Sequence, residues 1–357
     1  MTELFNAPYI DENLFEEKTI MNKRSLLVLV LVVVMLAATA CAPAPTETAF
    51  KAGMVTDIGG IDDASFNATS WHGMELAADK LGIEVQYLES QQQTDYAANI
   101  TQFLDQGYNI IVTVGFLLGD DTETFAKDNP DTDFAIVDYA YETTYDNLLG
   151  LTFSTDQAAF MAGYAAAAMT QTGKVGTFGG IEIPTVTIFM VGYENGVNYY
   201  NEQHGTNVEV LGMDLFVGNF ESTDDGRRAG EDLISEGADI IMPVAGPVGL
   251  GTAAAVQENP GTMLVGVDTD WCVSAADFCP VVLTSVMKNM DVAVENAVTA
   301  AYNGDFQGGV YVGTLENDGV GLAPFHEFES ALPAGLTDEL AQVQAGLIDG
   351  SISTGWQ

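Results

Sequence analysis

The sequence predicts a two-lobed α/β protein in which each lobe is a parallel sheet flanked by helices and a cleft lies between the lobes. Two observations carry this expectation. From residue 51 onward, short apolar runs alternate with helical stretches, the pattern of parallel sheets covered by helices. The alternation also occurs twice, with matching punctuation. In the first series a helix ends at Leu81-Gly82, a strand follows, and a second helix ends at Gln106-Gly107 before NIIVTVG. In the second, the corresponding ends are His204-Gly205 and Glu236-Gly237 before ADIIMPVAG. Glycine suits these helix ends because the position after the last turn takes positive φ.

The elements follow in order. Strands are expected at 51–56, 83–88, 109–114, 133–138 and 147–152 in the first series. The second series has strands at 174–179, 208–216, 238–244, 262–268 and 281–286. Helices are expected between them, among others at 65–81, 95–106, 154–171, 187–203, 223–236 and 290–303. The resulting division places 50–153 and 281–305 in the first lobe and 154–280 and 306–357 in the second.

The front of the chain begins twice. Residues 1–20 are polar, without helical periodicity, and read as an extension ahead of a second start at Met21. Lys23 and Arg24 then precede an apolar run from Leu26 to Ala40, which makes 21–40 a secretory signal too short to span a bilayer well. Its end, LAATAC, resembles a bacterial lipobox, in which Cys41 carries the lipid. Ordinary cleavage near Ala40 is the other reading. Residues 41–49 form a Pro/Thr tether. With Cys41 lipidated, Cys272 and Cys279 remain as a pair, and outside the cytoplasm a local disulfide across their loop is expected. A metal site is the alternative, but it lacks an evident partner because His72, His204 and His326 are scattered along the chain.

The formal net charge is −41, with 51 acidic and 10 basic residues. Such a field repels polyanions, so nucleic acid is excluded as a partner and uncharged ligands are favoured over nucleotides. No phosphate-binding GxxxxGK[ST] loop, metal-ligand cluster or Ser-His-Asp order is present, which counts against an enzyme. No cofactor or metal is expected.

The segment VTDIGGIDDASFN (55–67) is the richest in chemistry. It places carboxylates, an aromatic ring and an amide at the carboxyl end of the first strand, where open α/β folds bind ligands. Asp62 and Asp63 suit the turn and the helix N-terminus. Asp57 and Asp138 end strands at the same edge, and ionised carboxylates there accept hydrogen bonds from a ligand's donors.

With FGGIEIPTV (178–186), VGYENGV (191–197), ADIIMPVAGPVGLG (238–251), GVDTD (266–270), SVMKNMD (285–291), GVGLAP (319–324) and LIDGSIS (347–353), the chain resembles the basic membrane protein family of PnrA-like substrate-binding lipoproteins of ABC transporters. The resemblance covers Phe50 to Gln357. It implies a type I periplasmic-binding-protein-like fold, a monomer lipid-anchored at the extracytoplasmic face of the membrane, and a purine nucleoside ligand delivered to an ABC permease and its ATPase. It places ligand contacts on Asp57, Phe66, Asn67, Asp138, Gly246, Asp268 and Lys288. Phe66 would stack on the base, Asp268 would accept both ribose hydroxyls, and Lys288 would donate to ribose oxygens or partner an acid. Met242 stands where relatives often carry an aromatic, and Trp271 is the expected replacement for that wall. A free sugar or furanose in the same fold and a nucleoside-processing enzyme are the competing readings.

Overall fold

The computed structural model describes residues 49–356. The expected extension at 1–20, the signal at 21–40, Cys41 and most of the tether lie outside the described residues.

Two sheets form the frame. Strands β1 (Lys51–Val55), β2 (Glu84–Leu88), β3 (Ile110–Val114), β4 (Asp133–Val137), β5 (Leu148–Phe153) and β11 (Gly309–Gly313) make the first, in the order β11-β5-β4-β3-β1-β2. All of its pairs are parallel. Strands β6 (Lys174–Gly179), β7 (Glu209–Leu211), β8 (Ile240–Val244), β9 (Met263–Asp268), β10 (Val282–Lys288) and β12 (Val320–Leu322) make the second, in the order β12-β10-β9-β8-β6-β7. Here the edge strand β12 runs antiparallel to β10. The two orders correspond strand for strand, so the repeat in the sequence is a repeat of the fold.

Burial explains the strand composition. IIVTV in β3 and IIMPV in β8 are buried at every position, as expected of central strands covered on both faces. The edge strand β2, EVQYL, keeps polar residues because one side meets water. Pro243 lies inside β8, and the β8–β9 ladder pairs only Ile240 with Met263 and Ile241 with Leu264 before it stops. A proline has no N–H to continue a ladder.

The helices are α1 (Phe66–Leu81), α2 (Tyr96–Asp105), α3 (Gly119–Asp128), α4 (Thr155–Met169), α5 (Pro184–His204), α6 (Thr223–Ser235), α7 (Val248–Glu258), α8 (Trp271–Ser274), α9 (Met290–Asn303) and α10 (Leu336–Asp349). Gly82 and Gly205 end α1 and α5 in the left-handed region, at φ 68° and 66°.

The expected lobe boundaries need correction in the last third of the chain. Residues 281–288 were placed with the first lobe, yet β10 pairs with β9 and β12 in the second sheet. Residues 309–313 were placed with the second lobe, yet β11 pairs with β5 in the first. Only α9 joins the first lobe as expected, packing on α1. Local alternation does not specify which sheet a strand enters, because that choice is made by pairing: β10 joins β9 and β12, close to it in sequence, whereas β11 joins β5 from about 160 residues earlier. The chain therefore passes between lobes three times, after β5, after β10, and between β11 and β12. The crossings lie side by side: Ser154 N donates to Gly313 O at 2.8 Å and Asn289 N to Gly319 O at 3.0 Å.

In the second lobe α4 and α5 approach until their backbones touch. A Cβ on Gly196 would lie 1.9 Å from Phe160 O, and one on Gly163 would lie 2.0 Å from Tyr193 O. Neither obstacle is a side chain that can swing away. Gly196→Ala is therefore expected to lower stability by about 3 kcal/mol, the upper end of overpacking costs, read as a lower urea midpoint with an unchanged slope.

Candidate ligand-binding site

The carboxyl ends of the central strands of both sheets face one cleft. Seven of the eight residues expected to touch a ligand line it: Asp57, Phe66, Asn67, Asp138, Gly246, Asp268 and Lys288.

The first wall is built by the loop between β1 and α1. Asp63 turns its carboxylate back to accept from the backbone N–H groups of Ser65, Asn67 and Ala68, at 3.0, 2.7 and 2.9 Å. These are the otherwise unpartnered donors of a helix start, so Asp63 fixes where α1 begins. Phe66 and Asn67 consequently stand in its first turn. Asn67 Nδ2 donates to Asp57 Oδ1 at 2.7 Å, and Gly59 N donates to the same oxygen at 3.0 Å. Asn67 Oδ1 is buried with no partner in a residue only 1% exposed. A buried acceptor without a donor costs about 1–3 kcal/mol. Gly115, at φ 116°, gives Asp57 room, since a Cβ there would lie 3.2 Å from the Asp57 side chain.

Asp138 and Asp268 are the same position in the two repeats, immediately after β4 and at the end of β9. Both take left-handed backbone, φ 69° and 70°. That conformation is unfavourable for a side-chain-bearing residue but most accessible to Asp and Asn. Both acids reach across the cleft. Lys288 Nζ, at the end of β10 and 2% exposed, donates to Asp138 Oδ2 at 2.5 Å. Ser65 Oγ donates to Asp268 Oδ2 at 2.7 Å. The Lys288 ammonium also lies 4.8 Å from the Phe66 ring centre, 5.4 Å from Phe153 and 5.9 Å from Phe189. Cation–π attraction of this kind strengthens where water is excluded.

Burial sets the acid–base character of the site. It raises the Asp138 carboxyl, partly offset by Lys288. It raises Asp57, offset by the Asn67 and Gly59 hydrogen bonds and reinforced by the nearby Asp138 and Asp268 charges. It pushes Asp63 up to about 7 against the pull of three N–H donors.

Trp271 is the residue that the structure moves out of the cleft. It is 1% exposed, and its indole Nε1 donates to Val267 O at 2.9 Å. The β8–β9 ladder ends before Val267, whose carbonyl accepts from both the indole and Thr269 N, each at 2.9 Å, and the ring packs against Gly249 and Gly266 beside Pro243. Met242 is likewise fully buried in β8 rather than on the cleft wall. The aromatic walls come instead from Phe116, Phe189 and Phe220. Phe116 follows β3 and was within reach of strand-end reasoning. Phe189 on α5 looks like any core residue of a helix, and Phe220 sits in a loop without a motif. Asp270 is structural: Oδ1 accepts from Cys272 N at 3.0 Å and Oδ2 meets His326 Nε2 at 2.8 Å. A disulfide joins Cys272 and Cys279 just beyond it.

Two repeated α/β lobes with a polar and aromatic cleft between their strand ends define a solute-binding protein of the type I periplasmic-binding class. A solved solute-binding protein of an ABC transporter system from Aeropyrum pernix K1 superposes with a TM-score of 0.76 at 26% identity, covering 85% of this chain and 92% of that one. The chain belongs to the Bmp family of PnrA-like ABC transporter substrate-binding proteins, whose match spans residues 50–347. It is 30% identical to the CD4+ T-cell-stimulating antigen of Listeria monocytogenes over 85% of this chain and 87% of that protein. It is 29% identical to the ABC transporter nucleoside-binding protein BmpA of Lactococcus lactis subsp. cremoris, over 86% and 89%. The family consists of binding proteins rather than enzymes. Membership carries with it a solute ligand, permease and ATPase partners, and work outside the cytoplasm. Among the described residues no helix is long and apolar enough to cross a membrane.

The carboxyl shifts have a sign that can be measured. Burial raises Asp57, Asp63 and Asp138 above their unfolded values, so each carboxyl ionises less readily in the folded protein than in the unfolded chain. Their contribution to stability is full below the ordinary carboxylate range and lost as pH rises through the folded value, for Asp63 about 7. The ligand-free protein should therefore show a urea midpoint that falls between pH 5 and pH 8. Asp63→Asn should flatten that fall while lowering the midpoint at pH 5 through the weakened cap.

Proposed function

We propose that the protein captures purine nucleosides in the interlobe cleft and presents them to a membrane permease, held at the extracytoplasmic surface through a lipid on Cys41. The observation that carries this reading is the pairing of the half-buried Asp57 carboxylate and the buried, unpartnered Asn67 Oδ1 with aromatic rings on the cleft wall. Acceptors in that setting call for the N–H groups of a flat heteroaromatic ring. Stacking on Phe66 and its neighbours is worth roughly 1–3 kcal/mol per base. Across the cleft, Asp268 has oxygens suited to a vicinal diol, and Ser65 already holds one of them at 2.7 Å. Four aspartates line the cleft and its one lysine is already paired with Asp138, so an uncharged nucleoside is favoured over its phosphate ester.

Capture is also signalled mechanically. Ser65–Asp268 and Asp138–Lys288 join residues of opposite lobes, so these contacts hold the closed cleft together. A ligand that satisfies Asn67 and Asp268 together favours that closed form over the open one. The permease would then read the closed outer surface rather than the ligand itself. The name of the Lactococcus relative supports a nucleoside as the solute.

Thermal shift of the protein lacking residues 1–48 should show stabilisation by inosine, guanosine or adenosine, and little by ribose, free base or AMP. Stabilisation by ribose with no response to any nucleoside would overturn the reading in favour of a sugar receptor. Calorimetry on Asp268→Ala should show an affinity loss of about 100-fold for a ribonucleoside, the size of two hydrogen bonds to charge at about 1.5 kcal/mol each. The 2′,3′-dideoxy analogue should lose little. Equal losses for both would remove the diol role.

A further inference from the structure

Outside the cleft, the loop between β9 and β10 holds a group that the ligand site does not use. The two sulfurs of Cys272 and Cys279 and a ring nitrogen of His326 all lie within 4.8 Å of one another. In sequence His326 is far from the pair; the fold brings it there from the segment after β12. We propose that opening the Cys272–Cys279 disulfide converts this cluster into a thiolate–imidazole site for a soft divalent cation such as zinc.

Three features of the cluster carry the proposal. First, the donor set is right: two Cys and one His are ligands of tetrahedral zinc, with the fourth position left to water. Second, the imidazole is already held in the manner of a metal ligand. Asp270 Oδ2 engages His326 Nε2 at 2.8 Å, and a carboxylate on one ring nitrogen is the usual supporting partner of a histidine that ligates through the other. The same aspartate accepts from Cys272 N at 3.0 Å, so one residue fixes both a thiol-bearing backbone and the ring. Third, His326 is placed by a left-handed backbone, φ 41°, uncommon for histidine and unfavourable unless its surroundings impose it. All three potential ligands are partly exposed, so a small reductant and a cation can reach them.

The chemistry balances with one external partner class. A thiol or phosphine reductant supplies two electrons: two thiols become a disulfide, or a phosphine takes oxygen from water and becomes its oxide. In either case the S–S bond breaks and each cysteine sulfur receives a proton. Metal binding then releases both protons, and the two thiolates cancel the charge of the cation. Breaking the S–S bond also frees the sulfurs to separate to the ~3.8 Å that tetrahedral coordination at ~2.3 Å requires. The acidic surface, at a net charge of −41, concentrates cations around the loop.

The test uses cobalt as the probe, on protein reduced with a phosphine and followed by far-UV circular dichroism. Reduced, folded protein should bind one Co²⁺ with a sulfur-to-metal charge-transfer band and tetrahedral d–d bands, and Zn²⁺ should displace it. Oxidised protein should show neither band. His326→Gln should weaken binding at least 10-fold, and Asp270→Asn by 10–100-fold, the range for loss of a supporting partner. The Cys272→Ser/Cys279→Ser double variant should keep the fold and bind no cobalt. The proposal is overturned if the reduced protein unfolds, if folded reduced protein lacks the charge-transfer band, or if His326→Gln binds cobalt unchanged.

Discussion

The structure depends on one buried ion pair, Lys288 with Asp138, that belongs to both lobes at once. Lys288 ends β10 in the second sheet and lies at a crossing, while Asp138 follows β4 in the first sheet. Burying either charge alone costs several kcal/mol, and the pair is stable only because each supplies the other's counter-charge. Three phenylalanine rings surround the ammonium and remove the competing water. Opening the lobes must separate these charges or let water reach them. The pair therefore restrains the resting arrangement of the cleft, and it sits where a ligand would have to act on it.

Around that pair, the internal repeat supplies geometry twice and chemistry in two different forms. Asp138 and Asp268 occupy matching left-handed turns, yet one meets a lysine and the other a serine from the opposite lobe. The repeat fixes where a carboxylate can stand. The partner residue decides whether that carboxylate is neutralised in place or left available for a ligand's hydroxyls. The first lobe adds the amide and acid of Asn67 and Asp57, which have no counterpart pair across the cleft among its lining residues. A binding site with two unlike walls thus arises from two like lobes.

Much of this was legible in the sequence because it is local. Strand-end acids, helix-ending glycines and the Asp63 cap all act within a few residues, and their spacing shows it. The missing information is non-local. The short runs GVYVG and VGL give no sign that β11 joins the first sheet and β12 the second, since their partners lie at Leu149–Phe153 and Val286–Lys288. The acid-rich helix α3 has too few apolar residues to announce itself. The run 208–216 was expected as one strand, but the parallel ladder with β6 covers only Glu209–Leu211, and Gly212 turns away at φ 81°. Trp271 misled because it follows Asp268, a cleft-lining acid, so closely. Its indole turns inward to pack on Gly249 and Gly266, contacts that only the folded loop brings together.

The triple passage of the chain between lobes has a consequence for durability. A protein joined by a single linker falls into two pieces when that linker is nicked. Here a cut at any one crossing leaves two covalent connections intact, and neighbouring crossings remain hydrogen-bonded at Ser154–Gly313 and Asn289–Gly319. A molecule working outside the cytoplasm can thus keep both walls of its cleft together after such a cut. The same redundancy limits relative lobe motion to a bend about a shared strip, which keeps the two walls in register each time they meet.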